Sequence, residues 1–158
     1  MNRQGKTLVR KVLDAALVVL ILTVALPLAL VTMGPALLHR GALYVLVWLL
    51  WLPKGKDILF VYSDSPIWHE YMTTEILPLV ESRAVVLNWS ERSKWPLWSL
   101  GVSVFHRFGG ARDFNPLVVL FRPFQRARTF RFWPAFKDWK RGSREPVETL
   151  RQELLSEL

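Results

Sequence analysis

The chain has 158 residues, of which 51 % are hydrophobic, and its formal net charge is +8. This length suits one domain with an appendage and not two domains. Cysteine is absent, which excludes disulfide bonds, thiolate metal sites, iron–sulfur clusters and cysteine nucleophiles. Half of the net charge belongs to residues 1–53, so the remainder of the chain is only mildly basic overall.

The first apolar segment, residues 15–33, carries no charge. As a helix it would be about 28 Å long, close to the ~30 Å hydrocarbon thickness of a bilayer. A signal peptide is the main alternative, but its apolar region is normally about 7–15 residues long and ends in a small-residue cleavage site. We therefore predict a transmembrane anchor. The basic residues before it predict a cytoplasmic N-terminus; they are Arg3, Lys6, Arg10 and Lys11.

A second apolar segment, residues 36–52, follows Gly34-Pro35, which is predicted to break the helix. Only Arg40 would lie in the outer loop, and basic residues follow the second segment. The charge pattern therefore favours a helical hairpin with the domain in the cytoplasm. Two alternatives stay open. One span followed by an interfacial helix would put the domain outside, and a re-entrant helix could be kinked at Pro27.

The rest of the chain, residues 54–158 after an anchor of residues 1–53, predicts a small α/β domain. Continuous apolar runs indicate two buried strands, and helical spacing of apolar residues follows each of them. A third apolar run and an alternating, half-exposed segment are predicted to form a hairpin. A final amphipathic helix ends the chain. The predicted strands are residues 57–62, 83–89, 117–121 and 128–133.

The predicted order is strand, helix, strand, helix, strand, strand, helix, with the first two strands parallel. Asp64-Ser65-Pro66-Ile67 opens the first helix, Pro78 interrupts it, and Asn115-Pro116 immediately precedes the third strand. Together these features resemble the thioredoxin-like fold over residues 57–158. That family carries Cys-x-Pro-Cys at the first position, with Pro66 matching its proline, and a cis-proline at the last. The predicted fold class is α/β: a thioredoxin-like β-α-β-α-β-β-α domain preceded by an N-terminal transmembrane helix or helical hairpin.

The resemblance departs from the family at the two cysteine positions, which Asp64 and Ile67 occupy. Disulfide exchange needs a thiolate. The resemblance therefore implies the fold and a binding surface, without the redox reaction. No cofactor is predicted.

Ligands of an open α/β sheet bind beyond the carboxyl ends of its parallel strands. The loops there are predicted to bring polar and aromatic groups together. Helix capping and loop solvation are the simpler explanation for Asp64, Ser65 and Ser90. The candidate residues for binding a ligand or protein partner are Ser63, Asp64, Ser65, Trp68, Asn88, Trp89, Ser90, Glu91, Arg92, Arg112, Asp113, Asn115 and Pro116.

A basic stretch interleaved with aromatic residues follows the third strand. In a domain tethered to a membrane, such residues suit contact with anionic headgroups. A protein partner, an ordinary solvated face and, least favoured, nucleic acid are the alternatives. The candidates for lipid contact are Arg122, Arg126, Arg128, Arg131, Lys137 and Lys140.

Signals for catalysis and metal binding are weak. Ser65 and His69 are four residues apart, but a serine nucleophile needs a base within hydrogen-bond reach and a third group that orients the base. The histidines show no metal-ligand spacing. The sequence contains no Walker loop, dinucleotide fingerprint or nucleophile elbow. No catalytic or metal site is predicted.

Two functions are compatible with the sequence. The first is a membrane-anchored, redox-inactive module that binds a protein partner or the membrane lipid surface, and an enzyme is not favoured. The second is group transfer on a lipid-linked substrate, because residues 10–14 and the proline-containing run after them resemble the membrane helix of bacterial phosphoglycosyl transferases. The Asp–Glu dyad expected after that helix is missing, since residues 34–56 contain no acid. Asp64 and Glu91 are the nearest substitutes.

Overall fold

The structure is a computed structural model of the chain. It describes residues 3–96, 98–110 and 115–158, with side chains from Arg10 onward. The internal contacts divide the chain into two units, of which the first ends at Ala42 and the second comprises Leu43–Leu158.

One continuous helix begins the chain. It consists of α1 (Arg3–Leu20), a π-helical turn (Ile21–Ala25) and α2 (Leu26–Leu50). From Arg10 to Lys54 it is long and apolar enough to cross a membrane, and no other helix among the described residues is. Large apolar side chains of the first unit are exposed on every side of the helix. That distribution is typical of a membrane span and not of an amphipathic helix in a soluble core.

The helix passes through Gly34-Pro35 without a break, so the predicted hairpin of segments 15–33 and 36–52 is wrong. A proline removes one hydrogen bond to the carbonyl four residues earlier, and membrane helices tolerate that loss. Before Pro27, a π-helical turn accommodates the proline, because Leu26 N–H bonds five residues back. The re-entrant alternative required the chain to turn back at Pro27, whereas α2 runs as a helix from Leu26 through Pro27 to Leu50.

Four strands form the sheet of the second unit: β1 (Ile58–Tyr62), β2 (Ala84–Asn88), β3 (Leu117–Leu120) and β4 (Arg128–Arg131). Their order across the sheet is β2-β1-β3-β4. β1 pairs with β2 in parallel, β1 with β3 antiparallel, and β3 with β4 antiparallel. Three predictions are confirmed: the α/β class, the parallel pairing of the first two strands, and the β-hairpin formed by the third and fourth strands. The Asn115–Pro116 peptide bond is cis.

Helices cover both faces of this sheet. Between β1 and β2 lie α3 (His69–Tyr71), a π-helical turn and α4 (Leu77–Val80), with Pro78 in the first turn of α4. α5 (Leu100–Phe108) follows β2, and α7 (Glu145–Glu157) ends the chain. One helix was not predicted. α6 (Phe132–Trp139) begins where the fourth strand was expected to continue, because Phe132 and Phe136 turn into the core at helical spacing.

The first face of the sheet is covered by α3, α4, α6 and α7. Because successive strand residues point to opposite faces, Ile58 and Phe60 lie on this face and Leu59 and Val61 on the other. All four are fully buried, which explains why β1 reads as an unbroken apolar run. The helical side chains packed on the first face include Met72, Ile76, Val80, Phe132, Phe136, Val147 and Leu154.

The second face is covered by α5 and by the last turns of α2. Leu43, Val47 and Trp51 of α2 are buried there against Leu59, Val61, Leu117, Val119 and Phe121. The second half of the segment predicted as a second membrane span therefore packs one of its faces on the sheet. The sequence places the start of the domain at residue 54, whereas the compact unit of the structure begins at Leu43.

Candidate functional site

Three segments meet where the parallel strands end, and we call this place the site edge. β1 and β2 end side by side, with Tyr62 paired to Asn88. β3 runs the opposite way and pairs Leu117 with Val61, so the residues that precede Leu117 reach the same edge. The site edge comprises residues 63–65, 88–92 and 115–116. The predicted residues Arg112 and Asp113 lie outside the part of the chain that the structure describes.

A hydrogen-bonded polar cluster ties the loops of the site edge together. The Asp64 N–H donates to Ser90 Oγ at 2.9 Å, and Asn88 Nδ2 donates to Asp64 Oδ1 at 2.9 Å. Asn88 Oδ1 accepts from the Ser90 N–H, also at 2.9 Å. His69 Nδ1 lies 3.5 Å from Asp64 Oδ1. The side chains of Asp64 and His69 remain 54 % and 45 % exposed, so this cluster is open to an incoming molecule.

Two of the predicted site residues, Ser63 and Trp68, pack into the interior and contact each other there. Ser63 is buried, and its Oγ accepts a hydrogen bond from Trp68 Nε1 at 3.0 Å. The Trp68 ring packs against Phe136 at a centroid distance of 5.8 Å. Ser65 interacts locally, since its carbonyl accepts from the His69 N–H at 2.9 Å. The Ser65–His69 pair therefore interacts through the backbone.

The acidic residues of the site edge have separate partners. Glu91 receives a hydrogen bond from Lys94 Nζ at 2.8 Å, while Asp64 is held by Asn88. Burial raises the pKa of Tyr62, and the negative charges of Asp64 and Glu91 add to that effect. Each carboxylate is therefore held by a different neighbour.

An aromatic groove of about 390 Å³ opens beyond β2. The Arg92 guanidinium lies 5.1 Å from the centroid of the Trp89 ring, a cation–π contact. Trp89 meets Trp95 edge-on at 5.7 Å and Phe105 at 5.3 Å. The residues that line the groove are Trp89, Arg92, Trp95, Pro96, Val102, Ser103 and His106.

Trp98 lies two residues beyond the groove and is 97 % exposed. The sequence-based candidates did not include Trp98, Trp95 or His106. The signal that would have found the two tryptophans is their position, since both follow a strand end in a segment that contains a proline and no apolar periodicity. His106 lies on α5 and reaches the groove only through the packing of that helix on β2.

The basic residues predicted to contact lipid are distributed over several elements. Arg122 Nη1 pairs with Glu157 Oε2 at 2.9 Å, and Arg128 also pairs with Glu157. Arg131 Nη2 donates to the Phe108 carbonyl at 3.4 Å. Lys137 Nζ lies 3.6 Å from the Trp133 ring centroid. Arg126, in the turn between β3 and β4, and Lys140, at the end of α6, are exposed.

No family model, curated protein or solved structure matches the chain. Among the described residues, no three His, Asp or Glu side chains are grouped as a metal site would require. The functional assignment therefore depends on the geometry and chemistry of the site edge and the aromatic groove.

Proposed function

We propose that this chain is a membrane-anchored, cysteine-free module of thioredoxin-like topology that binds a protein partner at the site edge and the aromatic groove. The parallel β1–β2 pair with its helical crossover, followed by the β3–β4 hairpin, supports the thioredoxin-like resemblance, because these are the two halves that it implies. Asp64 and Ile67 occupy the two cysteine positions of the family, so the resemblance does not support disulfide exchange. It supports a binding role instead.

The observation that carries the proposal is the exposure of Trp98 beside the aromatic groove. Exposed apolar side chains that form a patch with a polar surround mark interaction sites, and Trp98 follows the half-buried Trp95 of the groove by three residues. Tryptophan and arginine are the residues that contribute most binding energy in protein interfaces. Trp98, with Trp89 stacked under Arg92, supplies that combination next to the exposed Asp64 carboxylate.

Because the predicted helical hairpin is wrong, the proposed location of the domain differs from the cytoplasmic one expected from the sequence. A cytoplasmic domain required two membrane crossings, whereas the helix is continuous. With one crossing and a basic N-terminus retained in the cytoplasm, the α/β unit belongs on the opposite side of the membrane. The partner is accordingly sought there.

The experiment is photo-crosslinking of the full chain in native membranes. Benzoylphenylalanine replaces Trp98 and, in a separate control protein, the exposed Leu155 of α7. We expect a discrete crosslinked protein from position 98 and none of the same mass from position 155. Arg92→Ala or Asp64→Ala in the position-98 protein is expected to reduce that product several-fold. Arg141→Ala, which removes an exposed side chain elsewhere, leaves it unchanged.

Folding of each variant is checked by its thermal midpoint in detergent, so that a lost crosslink is not confused with unfolding. Identical crosslinks from positions 98 and 155 would contradict the proposal. A product from position 98 that is insensitive to both Arg92→Ala and Asp64→Ala would contradict it equally.

A further inference from the structure

The turn between β3 and β4, residues 122–127, exposes a large aromatic side chain. Phe124 is 91 % exposed. Its φ of +60° places it in the left-handed region, which a bulky residue rarely adopts. An exposed phenylalanine in a strained backbone conformation contributes little to the stability of the domain itself. Such outliers persist where a function requires them.

The turn lies against the part of α2 where the chain enters the α/β unit. The Ala127 N–H donates to Tyr44 Oη at 2.7 Å. The rings of Trp48 and Phe124 are in contact, with centroids 5.4 Å apart. The turn is therefore fixed beside the part of α2 that follows the uncharged stretch of the helix.

That part of α2 lies close to the membrane surface because it directly continues the uncharged stretch of the helix. Residues 15–39 are uncharged and as a helix span about 37 Å, more than the ~30 Å hydrocarbon core. Arg40 therefore reaches the interface. Tyr44 follows one helical turn later, about 6 Å along the axis. Aromatic and basic side chains are the groups enriched at this level of a membrane.

The charge of the turn complements an anionic lipid surface. Arg122, Arg126 and Arg128 flank Phe124, and Glu157 is the acid that pairs with the first and third of them. Three positive charges against one negative charge leave the turn basic, and Arg126 is exposed. Basic groups around an apolar side chain are the combination that attaches a protein surface to a lipid surface containing anionic headgroups, in whichever leaflet it faces.

We propose that the β3–β4 turn is a second membrane contact, in which Phe124 inserts among the lipids and the flanking arginines bind anionic headgroups. The inference rests on the membrane anchor of the proposed function and is independent of the protein partner. β1 is five residues long, so the turn at its start and the site edge at its end are separated by about 17 Å. Contact of the turn with lipid and binding of a partner at the site edge therefore use different surfaces of the unit.

The absence of cysteine allows single spin labels to test this in the full chain. Labels are attached at Gln125→Cys in the turn, Ser93→Cys directly after the site edge and Val24→Cys in the apolar helix. The protein is reconstituted in vesicles of phosphatidylcholine with about one third phosphatidylglycerol. The ratio of collision rates with oxygen and with a water-soluble nickel chelate is expected to be several-fold higher at residue 125 than at residue 93, and highest at residue 24.

Substituting Phe124→Ser in the Gln125→Cys protein is expected to lower the ratio to that at residue 93, whereas Phe124→Trp retains it. An equal ratio at residues 125 and 93 in the parent protein, with a lipid-exposed label at residue 24, would overturn the inference and leave the anchor intact. Spin–spin broadening at residue 125 would overturn it too, because it would identify a second copy of the chain as the occupant. A water-exposed label at residue 24 would overturn both proposals.

Discussion

Trp68 and Trp98 differ in how their ring area and indole N–H are satisfied. Trp68 packs on Phe136 of α6 and donates to Ser63, so it holds the start of α3 against α6 and the end of β1. Trp98 leaves nearly its whole ring in water. Large aromatic side chains favour burial by roughly 25 cal/mol per Å² of apolar area, so only Trp98 has substantial area left to contribute to binding a partner.

Tyr71 provides a test of stability against pH. Its hydroxyl donates to Glu148 Oε1 at 3.0 Å, and its ring meets Phe136 and Trp139 edge-on. Burial first, and then the bond to Glu148, raise the pKa of Tyr71 above its ordinary value. Above about pH 10 the unfolded tyrosine ionises while the folded one stays neutral. The stabilisation is therefore complete below that pH and declines as the pH rises further.

We expect the thermal midpoint of the parent protein to fall between about pH 9 and pH 11, and to fall less steeply in Tyr71→Phe. At neutral pH the same substitution costs about 1 kcal/mol of unfolding free energy, because the Glu148 carboxylate loses a donor. Some alkaline dependence remains, since burial also raises the pKa of Tyr62. Equal slopes for the two proteins would show that Tyr71 ionises alike in the folded and unfolded chains.

At the scale of elements, α2 has two functions in one helix. Its first part is apolar on all sides, whereas its last turns place Leu43 and Val47 against the sheet. Composition did not separate the two parts, because both are apolar and rich in leucine. The strands were predictable to within two residues, since the runs that form β1 and β3 are apolar without interruption and are bounded by turn residues.

Val47 and Val45 give a matched pair of substitutions in α2. Val47 is 0 % exposed and Val45 is 49 % exposed. Val47→Ala removes two buried methyl groups and is expected to lower the free energy of unfolding by about 2 kcal/mol. Val45→Ala is expected to change it by less than about 0.5 kcal/mol. Chemical unfolding in detergent, followed by tryptophan fluorescence, measures both.

If residues 43–50 were instead a lipid-facing span, the two valines would respond alike. A loss of stability for Val45→Ala as large as that for Val47→Ala would therefore contradict the placement of this helix end in the core of the α/β unit.

At the scale of the whole molecule, the sheet gives the α/β unit two chemically different edges. The site edge carries an exposed carboxylate and histidine, and the aromatic groove adjoins it. The opposite edge carries the basic turn with Phe124. Antiparallel pairing of β3 with β1 separates them, because the loop before β3 and the turn after it emerge at opposite ends of the strands.

The side of the membrane occupied by the α/β unit can be tested with a membrane-impermeant maleimide. Ser93→Cys reports on the unit, and Gln4→Cys reports on the N-terminus. With one crossing and a cytoplasmic N-terminus, we expect residue 93 to react in intact cells and residue 4 to react only after lysis. The reverse pattern would place the unit in the cytoplasm and show that the basic N-terminal residues do not set the orientation.

The sequence by itself determined the long apolar N-terminal segment, the absence of thiol chemistry, the order of the four strands, and the meeting of the Asp64 and Asn88 loops at one edge. These follow from local composition, periodicity and the rule that parallel strands end together. Only the tertiary structure decided that the helix continues through Pro35, that its end belongs to the sheet's core, and that Trp68 is buried while Trp98 is exposed. The reason is physical: whether an apolar side chain meets lipid, protein or water depends on what packs beside it, and residues distant in sequence supply those neighbours.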